Sequence, residues 1–308
     1  SPMQKREQIA RRTCAALGYN ECVTYSFIDH AAATLFGGGD DATMLANPIS
    51  ADLSHMRPDL LPGLLRAAAR NQARGIMDLA LFEVGHAFHG GEPGEQHLQV
   101  AGLLVGRSGP KEVHGAARAV DVFDAKADVE AILAAIGAPA KVQILRDGPA
   151  WFHPGRHGRI CLGPKKVLGI FGEVHPRILQ ALDVKGPAVA FTLYPAEVPL
   201  PRKTSASRGA LDISDLQAVE RDFAFVVDVQ TEALTLINAA AGADKALIED
   251  VRVFDAFSGG NLGEGKKSLA LTVRLQPRDK TLTEAEIETV SARIIEKVTK
   301  ATGGVLRG

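Results

Sequence analysis

The run Gly260-Asn-Leu-Gly-Glu-Gly265-Lys266 has the G-x-x-x-x-G-K spacing that can cradle nucleotide phosphates. Lys267 follows it, where a Ser or Thr would have to reach a magnesium ion. A phosphate loop must also open a helix, because helix amides and the helix dipole hold the anion. Here Ser268-Leu-Ala-Leu-Thr-Val-Arg-Leu-Gln276 alternates with period two, so the glycines join two strands. Val251–Pro277 reads as a β-hairpin with a Lys266–Lys267 rim.

Other chemistry-bearing groups have simpler explanations. His153-x-x-x-His157 lies in a Pro/Gly loop and His86-x-x-His89 on a strand-like segment, so neither has the helical framing of a zinc-binding H-E-x-x-H. Asp121, Asp124, Asp128 and Glu130 surround a helix start, where acids complement the dipole. Cys14, Cys22 and Cys161 contain no C-x-x-C and read as reduced core thiols. Trp151-Phe152 reads as packing. No metal site, no catalytic triad and no catalytic residue is expected from these spacings.

The elements that position the hairpin form a regular series. A strand is expected over Phe223–Val229, a helix over Glu232–Ala241 capped by Thr231, then the two hairpin strands. Thr283-x-x-Glu286 caps a helix striped by Ile287, Val290, Ile294 and Val298, and a short strand ends near Val305-Leu306. That order is βαββαβ, the ferredoxin-like arrangement, in which both helices cover one sheet face. Alternation sends Leu269, Leu271, Val273, Leu275, Val251 and Val253 towards the helices. It leaves Ser268, Ala270, Thr272, Arg274, Gln276, Arg252 and Phe254 on the open face. An exposed aromatic ring can stack an unpaired base, and Arg or Lys can meet phosphates and base edges. Against this, residues 212–308 hold 12 Lys or Arg and 16 Asp or Glu, a balance of −4 that disfavours indiscriminate phosphate binding.

Upstream the pattern is mixed. Ser1-x-x-Gln4 has capping-box spacing before a helix that Gly18 stops, and Glu21–Ile28 is a strand candidate. A helix over Pro58–Asn71, strands over Asp78–Phe88 and Leu98–Gly106, and a helix over Asp124–Gly137 follow. Short strands at Gly158–Leu162 and Lys166–Gly172 and a short helix begun by Pro176 complete an α+β domain with a mainly antiparallel sheet. Tyr194–Ala210, with three prolines and three basic residues, reads as a linker. The expected organisation is a domain at 1–194, a linker at 195–211 and a domain at 212–308. The chain has 308 residues, 46% hydrophobic and 23% charged, with a net charge of −1. There is no apolar run of membrane-spanning length and no secretory signal, so a cytoplasmic protein without a membrane partner is expected.

Long motifs carry a family resemblance. Glu220-Arg-Asp-Phe-Ala-Phe-Val-Val-Asp228, the Val251–Gln276 hairpin and Lys280-Thr-Leu-Thr-Glu-Ala-Glu286 resemble the ferredoxin-like anticodon-binding domain of the bacterial phenylalanyl-tRNA synthetase beta subunit. The stretch from Asn47-Pro-Ile to Leu-Pro-Gly63, Leu81-Phe-Glu-Val-Gly85 and Phe152-His-Pro-Gly-Arg156 resemble the subunit's catalytic-like, class II synthetase-like domain. Phe171-Gly-Glu-Val-His-Pro176 and Lys185-Gly-Pro-Ala-Val-Ala-Phe191 agree. The resemblance covers essentially the whole chain and implies the C-terminal portion of a longer subunit. It implies an alpha-subunit partner in an α2β2 assembly, tRNA(Phe) as ligand, and ATP with magnesium used by the holoenzyme but not held by this portion. The tRNA contacts it suggests are Arg221, Arg252, Phe254, Lys266, Lys267, Ser268, Thr272, Arg274 and Gln276.

A class II site needs an F-R-x-E strand whose arginine clamps the ATP α-phosphate. The nearest counterpart is Phe88-His89-Gly90-Gly91, and His cannot supply the always-charged bidentate fork of Arg. The resemblance therefore implies a catalytically inactive copy that docks the alpha subunit and binds the anticodon region. The alternatives are an interaction module without RNA binding and a fragment that activates an amino acid by itself.

Overall fold

The computed structural model describes residues 1–109, 113, 115, 117–200 and 213–307, and the chain divides into two compact units, Ser1–Thr204 and Ser205–Gly308. The first unit runs α1 (Pro2–Ala16), β1 (Asn20–Glu21), β2 (Phe27–Ile28), α2 (His30–Leu35), β3 (His55–Met56) and α3 (Leu61–Gln72). It continues through β4 (Leu79–Phe88), β5 (Gln96–Val105), α4 (Val122–Ala135), β6 (Gln143–Leu145), β7 (Phe152–Leu162), β8 (Lys166–Val174), α5 (Pro176–Ala181) and β9 (Ala188–Leu193). The capping boxes behave as their spacing requires, with Ser1 and Gln4 closing α1 and Asp121 and Asp124 closing α4.

Seven strands form one sheet in the order β1-β4-β5-β9-β8-β7-β6, with β1 parallel to β4 and the other pairs antiparallel. Both faces are covered. Ala10 and Cys14 of α1 and Val129 and Ile132 of α4 pack on Phe82, Val100 and Phe191. Leu61, Leu64 and Leu65 of α3 and Ile178 of α5 pack on Leu103, Ile170 and Ala190 opposite. Strand β9 is therefore buried at every residue and shows no period-two signal, which is why it escaped the alternation pattern. Gly102 on β5 is obligatory, since a Cβ there would lie 2.3 Å from the Phe191 ring.

Two expectations change here. Glu21–Ile28 is not one strand: β1 ends at Glu21, β2 begins at Phe27, and the residues between belong to neither. Residues 195–200 are anchored to the first unit. The Arg6 guanidinium donates to the carbonyls of Pro195, Val198 and Pro199 at 3.0, 2.6 and 2.7 Å. The rest of the expected linker, 201–211, lies outside the described residues.

The second unit contains β10 (Val219–Asp228), α6 (Ala233–Ala241), β11 (Ile248–Ser258), β12 (Lys266–Leu275), α7 (Glu284–Thr302) and β13 (Val305–Leu306). Its sheet has the order β11-β12-β10-β13 with antiparallel neighbours, the ferredoxin-like topology. Leu236, Ile287, Val290, Ile294 and Val298 from the helices bury Phe223, Phe225, Leu269, Leu271 and Val273 on one face. Thr283 and Glu286 form the capping box of α7. The cap of α6 falls on Glu232, one residue past the expected Thr231, without a side-chain bond.

Candidate nucleic-acid interface

The helix-free face of the second unit is built from alternate residues of three strands. Register places Glu220, Asp222, Ala224 and Asp228 of β10 opposite Arg274, Thr272, Ala270 and Lys266 of β12. On the other side of β12, Asp250, Arg252, Asp255 and Phe257 of β11 oppose Arg274, Thr272, Ala270 and Ser268. The hairpin turn carries its glycines at positive φ, Gly259 at 115°, Gly260 at 61°, Gly263 at 88° and Gly265 at 72°. Those values explain the residue type without any phosphate.

Each exposed cation on this face meets a carboxylate. Arg274 Nε donates to Glu249 at 2.8 Å and Arg274 Nη1 lies 3.6 Å from Glu220. Arg252 reaches the same Glu220 at 3.8 Å, and Lys266 lies 4.0 Å from Asp228. The Glu249 hydrogen bond, then the nearby acids, raise the Arg274 pKa above the ordinary guanidinium value. With Asp222, Asp250 and Asp255 on the same face, the surface is acidic and its guanidinium groups are pre-oriented. Such a face suits base edges and stacking better than a run of phosphates.

Several of the nine candidates are not exposed on this face. Arg221 lies opposite Val273, in the helix-side row, and lies 3.8 Å from Glu284 of α7. Lys267 alternates to the same side, opposite Val227 and Ser258. Ser268, Thr272 and Gln276 are buried. Thr272 donates to Asp222 at 2.7 Å, and the Gln276 amide donates to the carbonyls of Leu216 and Pro277. The polar groups of Thr272 and Gln276 are spent on holding the sheet and the segment before β10. Arg252, Phe254, Lys266 and Arg274 remain at the surface.

A β-bulge changes the aromatic assignment. Val253 pairs with Leu271 and Asp255 with Ala270, so Phe254 is the extra residue of β11 and belongs to neither row. Beyond it the phase resets, and Phe257 joins Arg252 on the open face. Phe254 and Phe257 are 56% and 46% exposed, large values for phenylalanine rings in a sheet. Only the bulge brings Phe257 to this face. Its sequence signal was the aspartate Asp255, which uninterrupted alternation would have turned towards the helices.

In the first unit, the segment expected to carry an ATP-clamping arginine holds imidazoles. Leu60 N–H donates to Gln99 Oε1 at 3.3 Å, so the Gln99 amide donates to His97 Nε2 at 2.9 Å. His97 Nδ1 then donates to His89 Nδ1 at 3.4 Å. Burial, then His89 and His86, lower the His97 pKa, which suits a ring used as acceptor. No cationic fork stands there, and the residues present do not fit an ATP site. The nearby Arg57 is buried and committed to Glu83 at 2.7 Å, with Thr24 donating to the same carboxylate at 2.7 Å. The other histidine pair is not preset for a metal. His153 Nδ1 accepts from Gly155 N–H, which leaves its hydrogen on Nε2, where a metal would need the lone pair. Among the described residues no three His, Cys, Asp or Glu side chains converge as a metal site, and no helix is long and apolar enough to cross a membrane.

Pinning Thr24 inward turns its neighbours outward. Val23 and Tyr25 are 91% and 78% exposed, and Ile49, nearby across Phe27 and Leu53, is 94% exposed. This apolar ridge is rimmed by Arg66 and Arg70.

Comparison with known proteins agrees with both units. The family described as "Phenylalanyl tRNA synthetase beta chain CLM domain" matches residues 1–194, and "Ferredoxin-fold anticodon binding domain" matches residues 214–307. The phenylalanine–tRNA ligase beta subunit of Ruegeria pomeroyi is 77% identical over all of this chain, which covers 39% of that protein. That of Cereibacter sphaeroides is 68% identical, again over the whole chain and 39% of the relative. The chain thus spans about two fifths of the length of the relatives it matches. A solved pyrrolysyl-tRNA synthetase from Desulfitobacterium hafniense superposes on 62% of this chain and 65% of its own at a TM-score of 0.47 and 13% identity. On the match that fills the first unit, and the second that fills the other, the chain belongs to the phenylalanyl-tRNA synthetase beta chain family.

Proposed function

We propose that this chain is a non-catalytic part of a phenylalanine–tRNA ligase, its second unit reading the anticodon region of tRNA(Phe) and its first docking the alpha subunit. The observation that carries the RNA reading is the pair of exposed rings, Phe254 and Phe257, beside guanidinium groups already oriented by Glu220 and Glu249. The rings supply stacking, while the carboxylates repel non-cognate phosphate and offer acceptors to base amino and imino groups. Arg252, Arg274 and Lys266 would contact base edges. Docking is supported by the ridge of Val23, Tyr25 and Ile49, too exposed for a surface that stays in water. ATP and magnesium would act at the partner's site in a cytoplasmic holoenzyme.

The test is tRNA(Phe) binding and aminoacylation by the assembled enzyme carrying Phe257→Ala together with Arg274→Ala. Losing one stacked base costs about 1–3 kcal/mol, so affinity should fall by roughly 5- to 150-fold. Unchanged affinity in an enzyme of normal assembly would remove this face from the RNA interface.

A further inference from the structure

One end of the first unit gathers cationic and N–H-donating groups that the reading above leaves without a role. Between Phe152, which pairs with Val174, and His157, which pairs with Gly172, four residues of β7 bulge out of the ladder. They bring His153 against His175, with nearly parallel rings whose centroids are 6.4 Å apart. Each ring is fixed in the same way. His153 Nδ1 accepts from Gly155 N–H and His175 Nδ1 from Arg177 N–H, both at 3.1 Å. Both rings therefore keep Nε2–H as the remaining donor. The first amides of α5 are already used within the chain, so the donors in question belong to side chains.

Charge accumulates around these donors. The stretches 146–159 and 172–177 contain Arg146, Arg156, Arg159 and Arg177 against Asp147 and Glu173. Arg156 is held bidentate by Glu173, with one bond at 2.8 Å, and Arg159 is paired with Asp147. Arg146 and Arg177 are exposed and make no side-chain ion pair among the described residues. The loop bearing Arg146 is carried to this end by the β6–β7 pairing of Leu145 with Arg159 and by the packing of Gly148 on the His157 ring. In a chain of net charge −1, a surplus of two arginines at the end that carries two oriented imidazole donors favours an anion there.

We infer that this end of the first unit binds RNA backbone phosphate, with Arg146 and Arg177 supplying charge and His153 and His175 supplying N–H donors. The inference rests on the tRNA reading above and deepens it. It assigns phosphate contacts to a surface in the first unit, whereas the acidic sheet face of the second unit is unsuited to them. Neutral imidazole N–H groups add direction to an electrostatic contact without adding counterion release.

The experiment titrates tRNA(Phe) binding to the assembled enzyme against KCl for the parent, Arg146→Gln with Arg177→Gln, and Phe257→Ala. Each lost phosphate contact lowers the slope of log affinity against log salt by about 0.7–0.9. The double arginine variant should therefore lose about 1.5 in slope and roughly tenfold in affinity near physiological salt. Both residues are exposed and make no ion pair among the described residues, so folding should be unaffected, as a thermal melt will show. Phe257→Ala should weaken binding at an unchanged slope, so failure of the anticodon reading is scored separately. An arginine variant with parental slope and affinity overturns the inference. So does one that loosens alpha-subunit association while leaving the salt slope intact, since that would make this end a protein contact.

Discussion

Asp59 is completely enclosed, accepting the Leu61 amide at 2.8 Å and the Thr192 hydroxyl at 3.3 Å. Burial is the dominant influence and raises its carboxyl to about 6, against an ordinary 3.8, although these hydrogen bonds and Arg57 pull the other way. The sign is the reverse of the usual acid. Between pH 4 and 6 the folded chain keeps a proton that the unfolded chain releases, so stability falls as pH rises through that window. Above it the penalty is complete, at about 3 kcal/mol for two pKa units. Asparagine at this position keeps an acceptor for Leu61 and cannot ionise. In urea melts, the stability of Asp59→Asn relative to the parent should improve by up to about 3 kcal/mol from pH 4 to pH 7. A difference that stays flat with pH would show that Asp59 is not the buried acid described here.

At the scale of elements, the strands that pack one face outward were legible, and those that do not were not. Leu269 to Leu275 declared their faces because helices cover one side only. The capping boxes at Ser1 and Thr283 were equally readable, since the chemistry of a cap is local, whereas the box at Asp121 was read only as acids at a helix start. Strand β9 and the interruption after β1 depend on what packs from outside the segment, which spacing does not encode. The β11 bulge is the consequential case, because one inserted residue decides whether Phe257 meets solvent or the helices. Deleting Phe254 should convert the bulge into regular ladder while Phe257 stays outward. The deletion variant should fold with a stability loss below about 3 kcal/mol, the range of ordinary substitutions. A larger loss in denaturant melts would mean that Phe254 is packed as a ladder residue and that the face assignment is wrong.

At the scale of the molecule, the two units have separate cores. Ile294 is fully buried in the cluster made by β10, β11, β12, α6 and α7, which among the described residues has no member from the first unit. The stretch expected as a linker, 195–211, is polar and rich in proline, and the two family matches, over 1–194 and 214–307, stop on either side of it. Separate cores should melt separately. Ile294→Ala leaves a cavity in the second core and should cost it about 2–5 kcal/mol. Calorimetry of the variant should show one of two transitions lowered and the other in place. Hydrogen exchange should then quicken in β10, β12 and α7 while β5 and β9 keep their protection. If one substitution moves both transitions together, the units are thermodynamically coupled. In that case tRNA bound at the second unit could change how the first presents Val23 and Tyr25 to a partner. Independent transitions would instead make the chain two recognition modules, each contributing its own binding free energy to the assembly.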